Sequence, residues 1–193
     1  MNPHGLQGLR LLHVRQKITL MQNRYVVHAG MPDGTDGPMV AFAEQKRMAF
    51  KEQVTLYTDE SKQQVLAGFK ARKVIDLGSG YDVVDHNGAP IGMFRKAFGA
   101  SLLRSTWHLE QPGIPPAVGQ ERSQLVAIVR RFVDELSWLP YHFDFTINGQ
   151  HPAFSVQKKW GLRDRYVVDI PDPNLDRRLV IAMAVAVDAL QAR

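Results

Sequence analysis

The stretch that decides the fold stands near the C-terminus: Leu179-Val180-Ile181-Ala182-Met183-Ala184-Val185-Ala186-Val187, preceded by Asp172-Pro173-Asn174-Leu175-Asp176-Arg177-Arg178 and followed by Asp188. Asp172-Pro173-Asn174 reads as a helix start, with a capping side chain and a proline early in the first turn. A helix is expected over 173–191. Over its nine apolar residues every face is apolar. Nine is far short of the roughly 20 that cross a bilayer. A helix that is apolar all round, outside a membrane, must be buried all round. Ala182, Ala184 and Ala186 keep it thin. The charges Arg177, Arg178 and Asp188 oppose the helix dipole, so they read as residues solvated at the two ends of whatever encloses the helix.

The rest of the chain says what that enclosure is. Lys17–Gln22, Arg24–Ala29, Met39–Gln45, Val54–Thr58, Gln64–Lys70, Arg72–Leu77, Tyr81–Asp85, Ile91–Lys96 and Thr106–Glu110 read as short strands. Further strands follow at Tyr141–Ile147, Ala153–Lys159 and Arg165–Ile170. Asn87-Gly88 and Asn148-Gly149 sit between apolar runs, the strongest short hairpin signal. Many short strands at this spacing make a barrel or sandwich, not βαβ units. The reading is therefore a mainly β chain with some helix (α+β): a closed antiparallel barrel wrapped around the C-terminal helix. A helix clamped between a sheet and a second helix is the alternative. Residues 1–16 read as a flexible lead and 111–120 as a Pro/Gly-rich loop. Residues 121–136 read as an amphipathic helix, with Leu125, Ile128, Val129, Phe132, Val133 and Leu136 on one face. All of 1–193 is expected to form one domain.

Composition bounds the chemistry. With no cysteine among 193 residues, disulfides, thiolate metal sites and cysteine nucleophiles are excluded, and a cytoplasmic location is permitted. The N-terminus lacks the sustained apolar core of a secretory signal. The formal charge of +5 fits nucleic acid, an anionic membrane or an acidic ligand and decides among none of them.

Three stretches together carry a resemblance. They are Phe42-Ala-Glu-Gln-Lys-Arg47, Tyr81-Asp-Val-Val-Asp85-x-x-Gly88-x-x-Ile91-Gly92 and Ser101-x-x-Arg104-Ser-Thr-Trp107. The chain resembles the LURP-one-related and phospholipid-scramblase-like proteins of the tubby C-terminal superfamily. The resemblance covers roughly residues 17 to 110 by motif and the last helix by character. It implies a barrel of about 12 antiparallel strands around a hydrophobic C-terminal helix, in agreement with the periodicity. It also implies binding of phosphoinositides or association with membranes. The cysteine-rich segment of eukaryotic scramblases and an acidic loop of EF-hand spacing are both missing here.

Other motifs read as structure. Val74-Ile-Asp76-Leu-Gly78-Ser-Gly80 imitates the glycine loop of a methyltransferase, but a strand rather than a helix follows it. Asp33-Gly-Thr-Asp36-Gly37 has too few carboxylates for calcium and reads as a turn. His142 and Asp144 share a strand face with no nucleophile motif beside them. Trp107, Trp138 and Trp160 read as core or rim.

The candidate site is cationic: Lys70, Arg72, Arg95 and Lys96. Period-two alternation puts Lys70 and Arg72 on one face, and several such residues converging would hold a phosphate or headgroup. Lys73, Lys158, Lys159, Arg163 and Arg165 also fall near strand ends. The competing use of such charges is protection of exposed strands. The expectation is a non-enzymatic, cofactor-free barrel that is cytoplasmic or peripheral at a membrane and binds an anionic phospholipid or membrane surface. A protein-interaction module is the first alternative and an enzyme with a scattered active site the second. No nucleic-acid motif is present.

Overall fold

The computed structural model describes residues 3–18, 22–46, 53–72, 80–97, 106–122, 142–159 and 165–191. A short helix, α1 (Pro3–Gln7), precedes twelve strands: β1 Leu11–Ile18, β2 Gln22–Gly30, β3 Asp36–Lys46, β4 Gln53–Tyr57, β5 Val65–Ala71, β6 Gly80–Asp85, β7 Pro90–Ala97, β8 Thr106–Glu110, β9 Ala117–Glu121, β10 His142–Ile147, β11 His151–Lys159 and β12 Arg165–Asp169. The last described element is the helix α2 (Arg177–Gln191). Each strand pairs antiparallel with the next, and β12 returns to β1 with Leu12 opposite Val168, so the barrel is closed. Closure leaves no unpaired strand edge along this seam, which removes the usual template for pairing between chains.

The barrel has a filled interior. Every residue from Leu179 to Val187 is at most 2% exposed. Inward strand positions close around them: Leu12, Val14, Val27, Leu56, Phe69, Val83, Phe94, Phe145 and Val168 all belong to the same buried cluster. Two glycines admit this packing. A Cβ on Gly92 would lie 2.6 Å from the Leu179 side chain, and one on Gly119 would lie 2.3 Å from the Phe145 ring. The Phe145 ring is itself stacked on Phe154 at 4.0 Å and cannot retreat freely. Among the described residues no helix is long and apolar enough to cross a membrane.

Arg177 and Asp188, the charges expected at the two ends of the apolar run, are both buried. Asp176 caps α2, its Oδ1 accepting the Arg178 amide at 2.9 Å. The expected start at Asp172-Pro173-Asn174 is instead a separate turn, in which Asp172 Oδ1 accepts the Asn174 amide at 2.9 Å. Arg177 is 3% exposed and donates to the carbonyls of Leu9, Asp172 and Leu175. At the far end Asp188 accepts hydrogen bonds from Tyr25 (2.8 Å) and from Tyr166. Arg177 and Asp188 are therefore satisfied inside the protein rather than solvated at the mouths.

Three strands depart from the sequence expectation. Lys17–Gln22, read as one strand, holds the end of β1 and the first residue of β2, which pair antiparallel with Ile18 opposite Asn23. Residues 1–16, read as a flexible lead, carry α1 and most of β1, with Leu6, Leu12 and Val14 in the core. Residues 111–120, read as a loop, are a loop only to Pro116; Ala117–Glu121 is β9. Glu121, placed at the start of the amphipathic helix, ends that strand and is 1% exposed. The remainder of the 121–136 helix beyond Arg122, the end of the Arg72–Leu77 strand, Trp138, Trp160, Lys73 and Arg163 lie outside the described residues. Asn148-Gly149 forms the expected hairpin turn, with φ of 51° and 71° at the two central residues.

Candidate functional site

The candidate cations sit on β5 and β7 and just beyond β5. On β5 the pleat sends Phe69 inward, 3% exposed, so Lys70 points outward and is exposed. Arg72 follows two residues later on the same side, its amide donating to the Gly80 carbonyl at 2.9 Å. On β7 Phe94 points inward at 0% exposure, so Arg95 faces out with Lys70 and Arg72. Lys96 does not. Consecutive strand residues take opposite faces, and Lys96 turns to the inner side, its Nζ 5.8 Å from the Trp107 ring centroid. The four cations therefore divide into three on the outer wall and one at a barrel mouth.

Register places the outer three relative to each other. Gly80 is paired with Arg95 on one side and bonded to Arg72 on the other. The two arginines thus flank a residue with no side chain, about 10 Å apart at two strand spacings. Lys70 lies opposite Asp82, which lies opposite Met93, which lies opposite Glu110. Two carboxylates are therefore threaded among the cations. Arg72 holds Asp82 with Nε at 2.9 Å from both carboxylate oxygens and Nη2 at 2.6 Å from Oδ1. This pairing raises the Arg72 guanidinium pKa further above its already high value. Arg95 and Glu110 are looser, at 3.9 Å. His108, opposite Arg95, has its pKa lowered by burial and by the Arg95 charge, which favours the neutral ring. Lys70 has no ion-pair partner among the described residues.

Beside Lys70 the outer wall is dented. Gly68 sits between Thr55 and Val84 in register, and the missing side chain opens a depression of about 270 Å³ edged by Gln53, Gly68, Lys70, Asp82 and Val84. Its walls are mostly apolar and its polar groups are the Lys70 ammonium, the Asp82 carboxylate and the Gln53 amide. Sequence reading missed Gly68, Gly80 and Asp82 as parts of this surface. A glycine inside a strand was the available signal for the first.

Other polar groups serve structure. His142 and Asp144 share the outer face, and Asp144 is forked by Arg122 at 2.8 and 2.9 Å. His142 Nε2 lies 3.0 Å from Asp144 Oδ1 but at an angle that makes no hydrogen bond, and burial lowers its pKa. Asp33 Oδ1 accepts the Thr35 amide and hydroxyl at 2.9 and 2.6 Å, as a turn requires.

A family model for LURP-one-related proteins matches residues 39–188. The chain belongs to the LURP-one-related family. No curated protein matches it. The match opens inside β3 and closes at Asp188, so it includes all of Lys70, Arg72, Arg95 and Lys96. In this LURP-one-related barrel β1 and β2 lie before the matched stretch, yet β1 supplies the partner that closes β12. The outer wall of β5–β7 is thus built within the family core, while the seam depends on the N-terminal strands.

Proposed function

We propose that this barrel is a non-enzymatic binding protein whose outer wall over β5–β7 holds a phosphate-bearing anion, specifically the headgroup of an anionic phospholipid at a membrane surface. The observation that carries the reading is the register. Lys70, Arg72 and Arg95 share one face, with glycine between the two arginines and an apolar dent beside the lysine. Arg95, only loosely held by Glu110, can fork onto a phosphate, Lys70 adds a point charge, and Arg72 offers the edge that its pairing with Asp82 leaves free. The interleaved Asp82 and Glu110 limit the net charge, which suits reversible rather than permanent attachment. The tubby-like resemblance and the overall charge of +5 support the same ligand class.

Each unpaired cation near an anionic bilayer contributes about 1 kcal/mol; with Arg72 closed on Asp82, Lys70 and the loosely paired Arg95 give about 2 kcal/mol at most, or roughly thirtyfold in partitioning. Co-sedimentation with vesicles containing anionic lipid is the test. Binding should require the anionic component. It should weaken markedly near about 0.5 M salt, because the screening length is already only about 8 Å at physiological strength. A Lys70→Glu/Arg72→Glu protein that keeps its melting transition should lose at least about tenfold. Undiminished binding by that variant would move the site elsewhere. Equal binding to neutral vesicles would replace headgroup recognition by apolar insertion.

A further inference from the structure

On the opposite part of the wall, the turn between β2 and β3 folds across the seam where β1 meets β12. Arg165 on β12 donates from Nη2 to the Gly34 carbonyl in that turn at 2.6 Å. The same Nη2 lies 3.0 Å from His13 Nδ1 and 3.4 Å from Asp36 Oδ1. His13 Nδ1 is in turn 2.9 Å from Asp36 Oδ1. His13 is 2% exposed. Gly30 passes close over its ring, where a Cβ would lie 3.1 Å from Nε2.

One nitrogen is thus within reach of both a cation and a carboxylate. A bare Nδ1 can accept from Arg165 but then faces the Asp36 oxygen lone pair to lone pair. A protonated Nδ1 can donate to Asp36 but then points its hydrogen at those of Nη2. No single protonation state suits both neighbours. Arg165 is the partner able to yield, because its buried Nε–H has no acceptor and its contacts run through Nη2. Asp36 is held more firmly, since Arg15 also donates to its second oxygen.

We propose that His13 is a proton-operated latch: neutral, it holds Arg165 on the Gly34 carbonyl and the 31–35 turn on the seam; protonated, it takes Asp36, expels Arg165 and frees the turn. The charged and titratable groups facing the ring are Asp36 from β3, Arg165 from β12, Arg15 from β1 and His28 from β2, directly opposite in register. His28 Nδ1 lies 3.0 Å from the Gly37 carbonyl, to which it can only donate. Burial raises the Asp36 pKa, but the Arg15 hydrogen bond and the Arg15 and Arg165 charges pull it the other way, and the pKa is lowered. Asp36 therefore stays a carboxylate, and the His13 ring is the proton-carrying group placed between it and Arg165.

Two measurements on the full chain test this. Histidine ¹⁵N spectra at about pH 8 should show His13 with its proton on Nε2 and Nδ1 bare. A proton on Nδ1 at that pH would overturn the latch, because the bond to Asp36 would then exist in both states. Amide exchange from about pH 8 to about pH 5, corrected for intrinsic rates, should show protection at Met31 and Gly34 falling about tenfold, the size of one charge-assisted hydrogen bond. These amides donate to the Thr35 and Met31 carbonyls that close the turn. In a His13→Asn protein the pH dependence should vanish. A flat wild-type profile overturns the proposal. So does a dependence that survives in His13→Asn, as titration of His28 would give.

Discussion

Val185→Asp is expected to leave no cooperative fold at neutral pH. Val185 is 0% exposed, on a helix enclosed by strands on every side. A carboxylate there either stays charged without a partner or takes a proton. Protonation at pH 7 costs about 4 kcal/mol, from about 1.36 kcal/mol per unit over the roughly three units above its ordinary pKa. The neutral acid then still lacks hydrogen-bond partners, for a further 1–3 kcal/mol or so. The sum approaches the whole stability of a typical domain, about 5–15 kcal/mol. Val185→Ala, by contrast, removes two methyl groups and should cost about 2 kcal/mol. Thermal melts of the two proteins separate these outcomes. A cooperative, near-native melt of Val185→Asp would mean that the helix is not enclosed.

Gly92→Ala should lower the melting temperature by about 2–12 °C. The new Cβ would stand 2.5 Å from the Glu110 carbonyl oxygen and 2.6 Å from a Leu179 methyl. One neighbour is backbone in the adjacent strand and the other is a fully buried side chain, so neither gives way cheaply. Overpacking of this kind costs about 1–3 kcal/mol, and each kcal/mol is about 2–4 °C for a chain of this size. Leu179→Ala costs about 2–5 kcal/mol by itself, but in its presence the Gly92→Ala penalty should shrink without vanishing, because the Glu110 carbonyl remains. A double mutant whose destabilisation equals the sum of the two single changes would show that Gly92 and Leu179 are not in contact.

The fold was legible where burial leaves a one-dimensional pattern. Leu179–Val187 has no polar face, and a helix without one can only be internal. Most strands alternate because one face meets that helix and the other meets water. β1 was obscured because its inward row is interrupted by Gln16, which donates to the Tyr25 hydroxyl at 3.3 Å, and because His13 on the other face is buried as well. β9 was hidden for a related reason. Its inward residues are Ala117, Gly119 and Glu121, the reverse of the usual apolar-in pattern, and its outward Val118 misleads further. Gly119 is dictated by the Phe145 ring on the next strand, a contact made across sequence.

The site was legible to the same degree. Lys70 and Arg72 share a face by simple alternation. Arg95 joins them only through the pairing of β6 with β7, a register that local sequence does not specify. Lys96 looked like part of the same cluster because it adjoins Arg95 in the chain, and adjacency on a strand separates side chains instead of uniting them. Asp82 was read as a family-motif residue, and its place between Lys70 and Met93 emerges only from the sheet.

The outer-wall site is tested most directly by amide chemical-shift mapping with a soluble short-chain anionic phospholipid added to the intact protein. Saturable shifts should concentrate at Lys70, Gly80, Asp82 and Arg95, and Gln16 and Asp188 at the barrel mouth should stay still. Shifts centred on that mouth, or none along β5–β7 while the protein remains folded, would contradict the account.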